Sequence, residues 1–178
     1  MPLNTDQIVE DAIFKIGRVT SVVGRSIKVK VDKMKNSSHL VYKGELLKNV
    51  SVGGYIRIAK GFTNIIGKVE GEFINEDMKF VGKEYGNERQ RIERVLNVSL
   101  LGFFNGNRFE RGIKELPLLD NECLLLQRRE FEQVHNFIRE DDEPVVLGEL
   151  SFEREQEIRV GVNGLFASHI GIFGNTGS

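Results

Sequence analysis

Tryptophan is absent from the 178 residues, cysteine occurs once and proline three times. The lone Cys123, in "NECLLLQ", excludes an internal disulfide framework, and its leucine neighbours mark it as a small buried hydrophobe. So few prolines, with 40% hydrophobic residues, exclude a disordered or collagen-like chain. No apolar run approaches the ~18–20 residues that a membrane helix needs. The opening "MPLNTDQIVEDAIF" carries acids where a signal peptide carries bases, so a cytoplasmic protein with no membrane contact is expected. Histidine is scarce as well. His39, His135 and His169 lie far apart, no C-x-x-C or H-x-x-x-H spacing occurs, and no local Ser/His/Asp pattern suggests a nucleophile. A net charge of −1 argues against a dedicated nucleic-acid module. With only three Tyr, there is little aromatic surface on which single-stranded bases could stack.

What the chain does have is β-branched residues punctuated by glycine. In "FKIGRVTSVVGRSIKVKVDKM" two such runs flank Gly24-Arg25, and the second alternates strictly. Ile27, Val29 and Val31 fall on one face and Lys28 and Lys30 on the other, which predicts a hairpin with one buried side. The lysines are read as its wet face, with nucleic-acid contact as the alternative. Gly53-Gly54 and Gly61 then separate short runs at Tyr55 to Ile58 and Thr63 to Glu72. Further runs follow at 95–104, with a turn at Gly106-Asn107, and in "FERGIKELPLLDNECLLLQ", a loop, a proline turn and a strand. Many short strands with glycine corners predict a mainly β fold, a small closed barrel. One amphipathic helix is predicted in "RREFEQVHNFIRED", where Phe131, Val134 and Phe137/Ile138 recur at helical spacing and His135 takes a structural role. Glu140, Asp141, Asp142 and Glu143 read as a solvated linker rather than a cation site. "PVVLGELS" is expected to supply the barrel's last strand, and "EIRVGVNGLFASHIGIF" two further strands. Residues 1–90 carry a net +4 and residues 91–178 a net −5, a split that suits head-to-tail contact between copies.

The last ten residues, "HIGIFGNTGS", put a short apolar run before a glycine-rich turn. A phosphate-binding loop has the pattern G-x-x-x-x-G-K-[ST], in which backbone N–H groups and a helix N-terminus cradle phosphates, the lysine neutralises them and the hydroxyl holds Mg²⁺. Gly174, Asn175, Thr176, Gly177 and Ser178 fit its first five positions. The alternative is a flexible Gly/Ser tail.

Taken in order, "IGRVTSVVG", "GGYIRI…NIIGKVEGEF", "FERGIKELPLLDNECLLL", "VVLGELS" and "VNGLFASHIGIFGNTGS" resemble the N-terminal part of the HerA-like ATPases, DNA translocases of the same broad group as FtsK. The resemblance runs over nearly the whole chain. It implies a HAS-type β-barrel domain over 1–150 and, over 151–178, the first strand of a RecA-like α/β P-loop ATPase domain, cut inside Walker A. His169 matches the family's strand-entry histidine, and Gly174 to Ser178 the beginning of its ATP-binding loop. The remaining Walker A residues and Walker B have no counterpart, so this chain alone is expected not to hydrolyse ATP. The parent it implies is an ATP- and Mg²⁺-dependent helicase or translocase on duplex DNA, a ring and commonly a hexamer. There the barrel helps assembly and docks a NurA-type nuclease or, in antiphage defence, a sirtuin-like or other effector. Two alternatives stay open: the barrel of another P-loop ATPase, and a free-standing nucleic-acid-binding barrel.

Overall fold

A computed structural model describes residues 11–35, 37–42, 44–76, 92–138, 142–150, 153–167, 169–171, 173 and 174. It forms two compact units, one ending at Gln127 and the other beginning at Arg128.

Among the described residues, the first unit contains nine strands: β1 (Lys15–Val23), β2 (Ser26–Val31), β3 (His39–Tyr42), β4 (Glu45–Lys48), β5 (Tyr55–Lys60), β6 (Thr63–Glu76), β7 (Ile92–Asn105), β8 (Arg108–Arg111) and β9 (Glu122–Leu125). Six of them close on themselves, all antiparallel, in the order β1-β2-β7-β6-β5-β9 and back to β1. The expected closed barrel is therefore present. Closure leaves no free edge in the ring. The 14-residue β7 pairs with β2 through its first half, and β8 takes over beside it at Gly102–Asn105.

The alternation read in β2 is the one observed. Ile27, Val29 and Val31 are buried, Lys28 is exposed and Lys30 is half-buried and paired with Glu93. From β5 come Ile56 and Ile58, from β7 Leu96, Val98 and Leu100, and from β1 Ile16 and Val19, all at most 1% exposed. These side chains fill the barrel interior, each contributing about 1.5–3 kcal/mol of burial. Two register shifts on the β6–β7 ladder, at Ile66/Gly67 and Val69/Gly71, bend the long hairpin so that it follows the wall.

The two ends of the barrel differ. At the end toward which β1, β5 and β7 run, the hairpin turns are Gly24-Arg25, Gly61-Phe62 and Gly106-Asn107, each with its glycine at φ between 56° and 60°. Glycine first and a negative-φ residue second is the type II′ arrangement, whose twist matches that of the flanking strands. At the other end the chain from 32 to 54 folds over as a plug. The β3–β4 hairpin turns Leu40 inward, Phe14 packs on Tyr42 with ring centroids 5.2 Å apart, and buried Asn49 holds the segment together. Its amide donates to the carbonyls of Lys35 (2.6 Å) and Ser37 (2.7 Å) and its oxygen accepts from the Val50 N–H (2.8 Å). Arg94 completes the plug with a bidentate pair to Glu72 (2.6 and 2.8 Å) and a bond to the Val50 carbonyl.

The second unit departs from expectation in three places. "PVVLGELS" is not a barrel strand: β11 (Pro144–Leu150) pairs antiparallel with β12 (Glu153–Gly161), and β12 pairs parallel with the two-residue β10 (Asn136–Phe137), in a separate three-stranded sheet. The six-stranded ring is already closed without it. The expected division at 150/151 thus falls within the β11–β12 pair. The helix, α1 (Arg128–Val134), is shorter than its stripe suggested, because β10 captures Phe137. After β12 the chain forms α2 (Val162–Phe166), and 169–171, 173 and 174 are irregular rather than a second strand. A parallel strand is stable only between neighbours, and among the described residues none pairs with this run.

Candidate docking surface and the glycine-rich segment

Of the five residues matched to Walker A, Gly174 is exposed and without regular structure, and Asn175, Thr176, Gly177 and Ser178 lie outside the described residues. His169 is exposed, as is His39, whose Nδ1 lies 2.9 Å from the Ser38 hydroxyl. His135 is buried, with Nδ1 2.9 Å from the Phe131 carbonyl and its ring 4.3 Å from that of Phe131. The three histidines therefore have separate settings, and the described residues hold no cluster of three or more His, Cys, Asp or Glu fit for a metal ion. In the acidic run, Glu140 and Asp141 lie outside the described residues. Asp142 is no solvated linker residue: its carboxylate accepts the N–H groups of Asn163 (2.7 Å) and Gly164 (3.0 Å), satisfying donors that α2 leaves open. Cys123 is buried with no other cysteine described near it, and desolvation, helped by Asp32 and Glu122, pushes its thiol far above the usual range.

Chemistry-bearing residues are thus dispersed, and the feature that stands out is apolar surface. The large exposed hydrophobics of the barrel unit gather at its two ends. Met34, Val41, Leu46, Val52 and Ile74 lie at the plug end, where Val41 and Leu46 are cross-strand partners on the outer face of the β3–β4 hairpin. Val23, Phe62, Leu116, Leu118 and Leu119 lie at the turn end.

The turn end is firmly built. Phe62 projects fully exposed from the β5–β6 turn. Beside it, the Lys60 ammonium bonds both the Glu115 carboxylate and the Leu116 carbonyl, each at 2.9 Å, and so fastens the 113–121 loop to the hairpin. The hydrogen bond and the charge of Lys60 together hold the Glu115 carboxyl below its ordinary range. Farther along, the Val19 N–H donates to the Asn121 carbonyl and the Asp120 N–H to the Val19 carbonyl, while the Asn121 side chain accepts from the Leu118 N–H (2.7 Å). Asp120 takes a left-handed φ of 63°, which an aspartate tolerates. Pro117 points inward and leaves Leu118 and Leu119 outside at 61% and 62% exposure.

Sequence reading did not single out this patch. The available signal was the pairing of Gly61 with Phe62: a II′ turn puts its second residue at the hairpin tip. On the outer wall, aromatic rings are already covered by cations. Lys28 sits over Phe73, Arg111 over Phe109 and Lys114 over Phe103, at 5.4, 5.9 and 5.8 Å from the ring centroids. No described helix is long and apolar enough to cross a membrane. Compared with protein-family models and with curated proteins, the chain matches none.

Proposed function

We propose that this chain is the assembly and partner-docking barrel of a HerA-like, ATP-dependent translocase of duplex DNA, with 151–178 leading into its ATP-binding loop. The observation that carries the reading is the "SHIGIFGNTGS" segment downstream of a closed antiparallel barrel, the order of parts that the resemblance implies. The apolar residues at both barrel ends, set on braced loops, support contacts with other chains. In this proposal His169 and the 170–173 run become the strand entering the loop once neighbouring strands are supplied, and Gly174 to Ser178 contact ATP-Mg²⁺ only within a complete motor. The barrel contributes to a ring, a hexamer by the resemblance, and receives a nuclease or an antiphage effector in the cytoplasm.

The free-standing nucleic-acid barrel is less well supported, because the wall aromatics that bases would stack on carry cations of the protein itself. A P-loop ATPase acting on another substrate shares the loop and differs only in its response to DNA. The test uses the product of the whole gene that encodes these residues. ATP hydrolysis stimulated by linear duplex DNA, and a ring-sized mass by light scattering, are expected. Hydrolysis indifferent to DNA would favour the other P-loop ATPase, and a product that neither binds nor hydrolyses ATP would end the proposal.

A further inference from the structure

We infer that the turn end of the barrel is a docking surface for an acidic segment of a partner protein, one that carries apolar anchors among its carboxylates. The inference rests on the partner-docking reading above and gives it a location and a chemistry. Four observations lead to it. Phe62, Leu116, Leu118 and Leu119 are exposed together on the β5–β6 turn and the 113–121 loop, which Lys60 joins. The backbone beneath them is fixed by the Val19, Asp120 and Asn121 bonds, so their side chains are presented at little further ordering cost.

The third observation is charge. The barrel unit, residues 1–127, carries a net +4. At the turn end the acids are mostly engaged: Glu115 by Lys60, Glu122 by Lys15 at 2.5 Å and Arg18 at 3.5 Å, and Glu110 by the Asn105 amide at 2.8 Å. Arg25, Arg108 and Lys114 form no ion pair among the described residues. Against Asp120 and Glu110, whose bond to a neutral amide leaves its charge in place, these three cations still leave the apolar patch with a positive rim, which favours carboxylates and repels a basic partner.

Size is the fourth. Four or five partly exposed side chains amount to several hundred Å², the scale of a functional patch on a monomer. A stable contact between two globular chains needs about 800 Å² from each partner. The patch therefore suits a short segment better than a second copy of this chain.

The test uses the 178-residue chain and a phage-displayed library of random dodecapeptides. Enriched peptides should alternate Asp or Glu with Leu, Phe or Met, and fluorescein-labelled copies should bind in the micromolar range by anisotropy. Affinity should fall at least tenfold in the Leu118→Ser/Leu119→Ser chain and in Lys114→Glu, and should weaken as salt rises from about 0.05 to 0.5 M, where the screening length drops to a few Å. Val41→Ser/Leu46→Ser, at the plug end, should leave it unchanged. The altered residues are exposed, so each variant should melt like the parent; if the double serine chain does not, Phe62→Ser replaces it. No enrichment, enriched peptides without acidic bias, or affinity that survives the turn-end changes would overturn the inference. So would sedimentation showing a dimer that those changes dissolve, which would make the occupant a second copy. ATP hydrolysis enters none of these readouts, so the translocase reading and this surface can fail separately.

Discussion

Replacing Gly17 with alanine tests the tightest point of the barrel. A Cβ at this position would stand 2.0 Å from the Lys30 carbonyl oxygen, 2.9 Å from its carbon and 3.0 Å from the Val31 Cα. All three are backbone atoms of β2, so no rotamer change relieves the clash. Carbon–oxygen contacts across sheets settle near 3.3–3.6 Å, which asks the β1 and β2 backbones to separate by more than about 1 Å. That displacement disrupts the Gly17–Val31 and Arg18–Lys30 steps of the ladder. Overpacking a core costs about 1–3 kcal/mol, and two disrupted hydrogen bonds add about 1 kcal/mol each, for a loss of about 3–5 kcal/mol. Against the ~5–15 kcal/mol of a typical domain this is a large fraction. Gly71→Ala is the control, because its nearest neighbour would be the Asn97 amide at an ordinary 3.7 Å. Relief of unfolded-chain entropy should leave that variant unchanged or up to about 1 kcal/mol more stable. Urea unfolding followed by circular dichroism reads both. Unfolding free energies for the two variants that agree to within about 0.5 kcal/mol would show that β1 and β2 do not approach as described.

Three further outcomes are expected. Val29→Asp should prevent cooperative folding, since its carboxylate would lie at a fully buried position between Val19 and Leu96, at a cost of several kcal/mol; a sharp thermal transition at the parent's temperature would contradict it. The Cys123 thiol, its pKa raised by burial, should stay unlabelled by a disulfide reagent at pH 8 in the native protein and react fully in guanidinium, whereas native labelling within minutes would place it outside the core. For Glu115 the folded pKa is depressed, so its bond to Lys60 contributes above the unfolded pKa and is lost as pH falls through the folded one. A carboxyl-carbon NMR titration should find Glu115 below the ordinary glutamate range and Lys60→Met should return it there; an unchanged value in that variant would assign the shift to another cause.

Legibility in the sequence followed from how local the deciding physics was. β2 states its own register, because Ile27, Val29 and Val31 must share a face whichever strands lie beside it, and the structure buries that face. The turns were equally local: Gly24, Gly61 and Gly106 each needed positive φ, and each marks a hairpin. Ring closure was not written in any one segment. It depends on β9, four residues long and more than 60 residues from the end of β5, filling the gap between β1 and β5. "ECLLLQ" has the composition of a buried strand, but nothing in it names those partners.

The same reasoning explains the misplaced "PVVLGELS". Its apolar pattern required a sheet, and two sheets were available. Pairing with the adjacent β12 needs only a short connection, so loop-closure entropy favours it over a distant partner, and the six-stranded ring is closed without it. "HIGIF" is the limiting case. Its apolar run satisfies every local condition for a strand, yet a strand without neighbours leaves its N–H and C=O groups unpaired, and residues 169–171, 173 and 174 are irregular. Apart from Phe62, the turn-end patch was hidden for the converse reason. Leu118 and Leu119 resemble core residues by type, and only the inward turn of Pro117, with the bonds around Val19 and Asn121, sends them outward. Residue type decides which side chains benefit from burial. Whether a given leucine is buried within its own chain or left for another molecule is decided by backbone hydrogen bonds several residues away, and at this end of the barrel those bonds favour exposure.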